Sequence, residues 1–177
     1  MAAAVSLDEF GVRLKPGALA GSTQQQAYLS FLDADIGQCA EPCLPTNIAE
    51  RHMEVLTGLY VLQILSVKNV GTNFEGRLQG DGASGPRTLL FNLTDGVQEV
   101  VAMEFVPLTK IKLRDVQFGT KLAVTDVTIR QGMLMLETKN CELLGGSVVP
   151  RSRALGPGAV QGAGVRRGRE ENNSGHA

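Results

Sequence analysis

Residues 87–105, RTLLFNLTDGVQEVVAMEF, decide the fold of this chain. Two runs rich in Val, Leu and Phe meet at Asp95-Gly96, a dipeptide that favours the positive φ angles of a two-residue type I′ turn. The stretch therefore predicts a β-hairpin with that turn. Because residues of one parity share a strand face, the second arm is predicted to bury Val97, Val101, Met103 and Phe105. A hairpin is only marginally stable alone, so neighbouring strands must complete a sheet.

Further strand signals flank the hairpin. Residues 58–70, GLYVLQILSVKNV, are apolar at both parities and predict a long strand covered on both faces. Residues 120–129 and 133–138 predict two more strands, and Met133 and Met135 are interpreted as core residues. Residues 106–115 predict an irregular crossover. Five strands in this order predict a mainly β fold, a five-stranded OB-type Greek-key barrel, over residues 57–149.

Residues 1–56 predict a small helical segment in front of the barrel. The capping-box pattern Ser6-Leu7-Asp8-Glu9 predicts a first helix, and a second is expected over about residues 22–35, where Thr23 and Gln26 form another capping box. Residues 46–56 are expected to be acidic and helical. An apolar stripe predicts that the second helix packs on the rest of the molecule; it consists of Ala27, Tyr28, Phe31, Leu32 and Ile36.

Two Gly-rich stretches predict irregular structure. Residues 71–86, GTNFEGRLQGDGASGP, contain five glycines in sixteen residues and predict a long flexible loop between the first two strands. Loops of this length in compact domains are usually functional or disordered. Its Phe74 and Leu78 are either exposed anchors or side chains folded back on the sheet, and the sequence leaves both open. Residues 150–177 almost lack large apolar side chains and predict a disordered Gly/Arg tail.

The charge distribution argues against a typical nucleic-acid-binding barrel. Residues 57–149 contain nine Lys or Arg and nine Asp or Glu, whereas neutralising phosphates usually requires a basic surface. The chain has no Trp, two Tyr and six Phe, too few for a base-stacking platform in addition to a core. These features favour a barrel that binds protein. A single-stranded nucleic-acid-binding OB module is the alternative.

No residue pattern in the sequence predicts catalysis, a cofactor or a metal. Cys39, Cys43 and His52 suggest zinc, but no fourth ligand is nearby and the spacing is not a recognised pattern. Asp95 is explained by the predicted turn. The three cysteines form no paired framework, which predicts a reducing compartment, and no apolar run is long enough to cross a membrane. The chain is predicted not to be an enzyme.

Several stretches resemble a known family. The runs LTGLYVLQILSVKNV, LLFNLTDGVQEVVAMEF, FGTKLAV and NCELLGGSV are similar to the N-terminal OB domain shared by RecQ-mediated genome instability protein 1 and Tudor domain-containing protein 3. The preceding FLDADIGQCAEPCLPTNI is similar to the helical segment of that family. The resemblance covers residues 25–148.

The resemblance implies a function. It implies a non-catalytic nuclear subunit that binds a type IA topoisomerase III, together with a RecQ helicase, and modulates strand passage during the resolution of recombination intermediates. Loop 71–86 would reach into the topoisomerase, with Phe74, Arg77 and Leu78 as candidate contacts. Lys121, from FGTK, and Phe105 are candidate contacts on the barrel rim. Nucleic-acid binding by the chain itself is expected to be weak or indirect.

Overall fold

The computed structural model describes residues 6–19, 23–71 and 87–149, and within them six strands form one sheet. The strands are β1 (Glu54–Asn69), β2 (Leu89–Thr94), β3 (Glu99–Glu104), β4 (Lys121–Arg130), β5 (Met133–Leu136) and β6 (Cys141–Gly145). Their order is β1-β2-β3-β5-β4-β6, and β1 also pairs with β4, so the first five strands close into a barrel. The predicted OB-type barrel is confirmed. The predicted tail, residues 150–177, lies outside the described residues.

Strand β1 is longer than predicted. It begins at Glu54, and residues 46–56 are helical only in the 3-10 turn Ile48–Glu50, so the helical expectation for this stretch is largely wrong. The predicted cover on both faces is confirmed in its middle: Leu62 and Ile64 lie in the barrel core, whereas Val61 packs against the helical segment. A strand covered on both faces explains why this stretch is apolar at both parities.

The helical segment contains α1 (Gln24–Asp33) and α2 (Ile36–Cys39). The predicted capping box of α1 is confirmed, since Thr23 Oγ1 accepts a hydrogen bond from Gln26 N and the Gln26 side chain accepts one from Thr23 N. Phe31 is fully buried, as the apolar stripe predicted. Across the described ranges, no helix is both long and apolar enough to span a lipid bilayer.

The first predicted helix is wrong. Residues 8–10 form only one 3-10 turn, and Gly11 at φ 72° reverses the chain so that Leu7 pairs with Val12 in a β-bridge. Ser6 does not cap a helix. Its hydroxyl accepts a hydrogen bond from Asp8 N, a local turn that competes with helix formation.

The β2–β3 connection is a four-residue turn, not the predicted two-residue type I′ turn. Thr94 pairs with Glu99, and residues 95–98 connect the strands. Gly96 has the positive φ, 95°, whereas the Asp95 carboxylate closes the turn by accepting hydrogen bonds from Val97 N at 3.0 Å and Gln98 N at 2.8 Å. The hairpin itself is confirmed, and the interpretation of Asp95 as a turn residue is confirmed as well.

The predicted buried face of β3 is also wrong. The buried residues are Val100, Ala102 and Glu104, whereas Val97 is 71% exposed and Phe105 is 51% exposed. Strand β2, the first arm of the hairpin, determines which face of β3 is buried, because its core residues Phe91 and Leu93 pair with Ala102 and Val100. Cross-strand partners share a face, so the partner strand fixes which parity is buried.

Candidate partner-binding surface

The base of loop 71–86 is held by a single side chain. Asn69 Oδ1 accepts hydrogen bonds from Gly71 N at 3.1 Å and from Thr88 N at 3.0 Å. Val70 N also donates to Thr88 O at 2.8 Å, so both ends of the loop are fixed next to each other. The predicted contacts Phe74, Arg77 and Leu78 lie outside the described residues, and their roles stay predictions.

Arg87 and Glu104 tie the end of this loop to the barrel. The Arg87 guanidinium donates to Leu108 O at 3.1 Å and Ile111 O at 2.5 Å, and lies 3.4 Å from the Glu104 carboxylate. Glu104 is almost completely buried and accepts hydrogen bonds from Leu89 N and Leu108 N, both at 2.7 Å. A buried carboxylate is tolerated when it is paired and hydrogen-bonded in this way.

Two exposed apolar side chains follow Glu104. Phe105 is 51% exposed and Val106 is 42% exposed, while the backbone N–H of each donates to Leu136 O. The Arg130 guanidinium lies 5.6 Å from the centre of the Phe105 ring, within the range of a cation–π contact. We call Asn69, Arg87, Thr88, Phe105 and Val106 the loop rim. The predicted contact role of Phe105 stays a prediction, and Val106 was missed because one Val at the end of a strand carries no sequence signal.

Lys121 does not lie on the surface of the barrel, which corrects the contact that the resemblance implied. The side chain is fully buried and therefore has no surface to offer a partner. Its ammonium group, which has three N–H donors, lies within hydrogen-bonding distance of four acceptors: the carbonyl oxygens of Ala34 at 2.7 Å, Gly119 at 2.8 Å and Leu32 at 3.2 Å, and the Gln63 side-chain oxygen at 3.1 Å. Lys121 thus connects the helical segment to the barrel.

The electrostatic setting of Lys121 is a compromise between burial and nearby negative groups. Burial lowers the pKa of Lys121 to about 8, against the opposing effects of Cys39, Asp35 and Asp33. Leu32 is in the last turn of α1 and Ala34 follows the helix, so their carbonyl groups present the negative end of the helix dipole to the ammonium group.

The three candidate zinc ligands make separate contacts. The Cys39 thiol donates to Asp35 O at 3.3 Å, the Cys43 thiol donates to Val61 O at 3.7 Å, and His52 Nδ1 accepts from Gln131 N at 3.0 Å. Burial raises the pKa of Cys43 to about 12, which disfavours the thiolate form that binds metals. In the part of the chain that the structure describes, no group of three His, Cys, Asp or Glu could hold a metal ion.

Comparisons with known proteins identify the barrel. The family described as "RMI1, N-terminal OB-fold domain" matches residues 78–154. RecQ-mediated genome instability protein 1 of Arabidopsis thaliana is 34% identical over 124 residues, 70% of this chain and 19% of that protein. The rice protein of the same name (Oryza sativa subsp. japonica) is 31% identical over 69% of this chain and 15% of its own length. Tudor domain-containing protein 3 of Danio rerio is 30% identical over 66% of this chain and 16% of its own length.

The matched region thus spans less than a fifth of the length of each of these relatives. The family match covers strands β2 to β6 of the barrel, whose closed five-stranded topology is that of an OB fold. The barrel belongs to the family of N-terminal OB domains shared by RecQ-mediated genome instability protein 1 and Tudor domain-containing protein 3.

Proposed function

We propose that this chain is a non-catalytic scaffold that binds a type IA topoisomerase III and modulates its strand passage. It acts in the nucleus, in a complex that includes a RecQ helicase, where it promotes genome stability and the resolution of recombination intermediates. The names of the relatives, which refer to RecQ-mediated genome instability, support the general role. The observation that carries the topoisomerase proposal is the loop rim, where a Gly-rich loop leaves the barrel from a fixed base beside two exposed apolar side chains.

The geometry of the rim suits protein binding. Holding a Gly-rich segment in one conformation in a complex costs conformational entropy, and two ends already held together by Asn69 reduce that cost. Binding energy at protein interfaces is concentrated in a few apolar or aromatic anchors. Phe105 and Val106 provide such anchors at the rim, and the cation–π contact with Arg130 restricts the Phe105 ring.

The distribution of aromatic side chains favours protein over single-stranded nucleic acid as the partner. In the described residues, the more exposed Phe side chains are Phe10, Phe105 and Phe118. Phe10 packs against Tyr28, with ring centres 4.7 Å apart, in the helical segment and not on the barrel. The exposed Phe side chains in the described residues therefore do not form a row of neighbouring rings on one barrel face, which base stacking would require.

The proposal is tested by pull-down of a topoisomerase III from the same source, with the same substitution at two ends of the barrel. Val106→Glu places a carboxylate on the loop rim, and we expect it to weaken binding by about tenfold or more. Val97→Glu, on the exposed β2–β3 turn, is the matched control and should bind like the wild type. Replacing residues 72–86 by a tight turn should change relaxation or decatenation by the bound enzyme.

The proposal would be contradicted if Val106→Glu and Val97→Glu bound the topoisomerase equally well, or if shortening the loop left relaxation and decatenation unchanged. A single-stranded oligonucleotide is titrated in parallel at two salt concentrations. Strongly salt-sensitive oligonucleotide binding without topoisomerase binding would favour the nucleic-acid-binding module instead.

A further inference from the structure

The outer face of the barrel carries a continuous apolar surface across strands β2, β3 and β5. Strand register fixes which residues are neighbours. One row of cross-strand partners runs Lys68, Leu90, Met103, Met135, Thr128, and the next row runs Ser66, Asn92, Val101, Met133, Arg130. We call Leu90, Val101, Met103, Met133 and Met135 the methionine face. It contains three of the five methionines of the chain.

These side chains point away from the barrel core. Their strand neighbours of the opposite parity, Phe91, Ala102 and Leu134, are fully buried members of the core, and none of the methionine-face residues belongs to that cluster. Met135 is buried, but Leu90, Val101, Met103 and Met133 retain partial exposure. Met135 is buried, as the sequence predicted, although it lies outside the cluster that fills the barrel, whereas the interpretation of Met133 as a core residue is corrected because Met133 is only partly buried.

Cations border this apolar surface on two opposite sides. Lys68 ends one row on β1 and Arg130 ends the other on β4, and both are exposed. Neither makes an ion pair within the described residues. Two carboxylates lie near the face: Glu99 at the β2–β3 turn, and Glu137, which pairs with Lys139 at 2.8 Å. A line drawn across the strands of the methionine face therefore has a cation near each end, Lys68 on β1 and Arg130 on β4.

We propose that the methionine face binds an amphipathic helix of a partner protein, apolar along its middle and carrying Asp or Glu at both ends. The two cations complement such a helix when it lies across the strands. Five neighbouring strands span about 19 Å, the length of a helix of about 13 residues. Methionine side chains adapt to irregular apolar surfaces, which suits this use. The inner strands of the face are paired on both sides, so it offers no free edge for an added strand.

The location is a usual ligand-binding face for this fold, but the chemistry differs from nucleic-acid binders. OB barrels bind oligonucleotides on the face of strands 2 and 3, by stacking bases on aromatic rings. Here the corresponding positions hold Leu90, Val101 and Met103, which provide apolar contact without stacking. The proposal rests on this surface and not on topoisomerase binding, because the five residues of the methionine face are distinct from those of the loop rim. Only the flanking Arg130 touches both, through its contact with the Phe105 ring.

The test uses two synthetic amphipathic peptides of about 14 residues, both with Leu along one helical face. One peptide has Glu at both ends and the other has Lys. Fluorescence anisotropy with the full chain should show binding of the Glu-flanked peptide and much weaker binding of the Lys-flanked one. Met103→Lys should weaken the first interaction by about tenfold or more, whereas Leu29→Lys, on exposed α1, should leave it unchanged.

Charge reversal provides an independent variant. Arg130→Glu should weaken binding of the Glu-flanked peptide and strengthen binding of the Lys-flanked one, a result that unfolding cannot produce. Circular dichroism confirms the fold of each variant. Equal affinity of the wild type for both peptides, no binding of either, or unchanged binding by Met103→Lys overturns the proposal. Binding of an oligothymidine that Arg130→Glu abolishes, without peptide binding, assigns the face to nucleic acid.

Discussion

Replacing Lys121 with Met separates the hydrogen bonds of the buried ammonium group from the packing of its side chain. Met keeps an unbranched apolar stem of similar length, so the cavity beside Phe31 stays largely filled. The acceptors of the ammonium group lose their donor. Gln63 Oε1 still accepts a hydrogen bond from Ile36 N at 2.9 Å, so the carbonyl groups of Leu32, Ala34 and Gly119 bear most of the loss.

The expected magnitude follows from two opposing contributions. Leaving a buried acceptor without its donor costs about 1–3 kcal/mol, so three carbonyl groups would cost about 3–9 kcal/mol. Removing the buried charge relieves a penalty of about 3 kcal/mol, because the pKa of Lys121 falls from 10.5 to about 8. The difference is a net loss of about 0–6 kcal/mol at neutral pH, and its midpoint of about 3 kcal/mol is a large fraction of the stability of a typical domain.

Urea unfolding followed by far-ultraviolet circular dichroism measures this loss. Lys112→Met, which removes an exposed ammonium group, is the matched control and should change the free energy of unfolding by less than about 0.5 kcal/mol. If Lys121 joins the helical segment to the barrel, the variant should also unfold less cooperatively, with helical signal lost first. A Lys121→Met protein as stable and as cooperative as the wild type would refute this account of the contact.

Three further predictions concern pH and the hairpin turn. Because the folded-state pKa of Lys121 is lowered, the wild type should gain up to about 3 kcal/mol of stability relative to Lys121→Met as pH rises from 8 to 10.5. Urea titrations that show the same difference in free energy of unfolding between the two proteins at every pH would contradict this. Asp95→Ala should cost about 2–4 kcal/mol and speed amide hydrogen exchange at residues 43–44, whose N–H groups donate to this carboxylate. Gly96→Ala should lower the free energy of unfolding, measured by thermal unfolding, by more than about 2 kcal/mol, because a Cβ at Gly96 would lie 2.5 Å from the backbone of the helical segment. Gly17 also has a positive φ but open space around it, so Gly17→Ala, the control, should lower it by only about 1 kcal/mol.

Local signals in the sequence predicted the barrel and α1 well. The hairpin, the long first strand and the capping box at Thr23 depend on residues close together in the chain, and all three are confirmed. The helix expected at Ser6 failed because one turn of local preference competes with the β-bridge between Leu7 and Val12. Strand β6 was not predicted, since a five-residue strand needs its partner β4 to be recognised.

The parity error in β3 has a different cause. The two apolar residues Val97 and Phe105 are exposed, and the charged Glu104 is buried. A hydropathy pattern predicts that a carboxylate faces solvent. Glu104 can be buried because its carboxylate accepts hydrogen bonds from two backbone N–H groups and pairs with Arg87. Pairing with the apolar first arm would have corrected the face, since Phe91 and Leu93 fix the parity of their partners.

The candidate site was predictable only in part, for the same reason. The Gly-rich composition of residues 71–86 marked the loop, and the family resemblance marked Phe105. The burial of Lys121 has no local signature, because its acceptors come from residues 32, 34, 63 and 119, which meet only when the helical segment packs on the barrel.

The hydrogen bonds that Lys121 and Asp95 make to the helical segment use the main chain of the segment, whereas its apolar side chains pack on the barrel. Lys121 donates to the carbonyl groups of Leu32 and Ala34, and Asp95 accepts from the N–H groups of Cys43 and Leu44. Both charged groups belong to the barrel, and neither has an ion-pair partner among the described residues. Changing the side chains at these four positions therefore leaves the hydrogen bonds to Lys121 and Asp95 in place, provided that the backbone keeps its course, although a change at Cys43 removes the bond from its thiol to Val61 O. Substitution of Lys121 or Asp95 removes several of these bonds at once, so we expect this set of hydrogen bonds to tolerate side-chain changes at the four segment positions better than changes at Lys121 or Asp95.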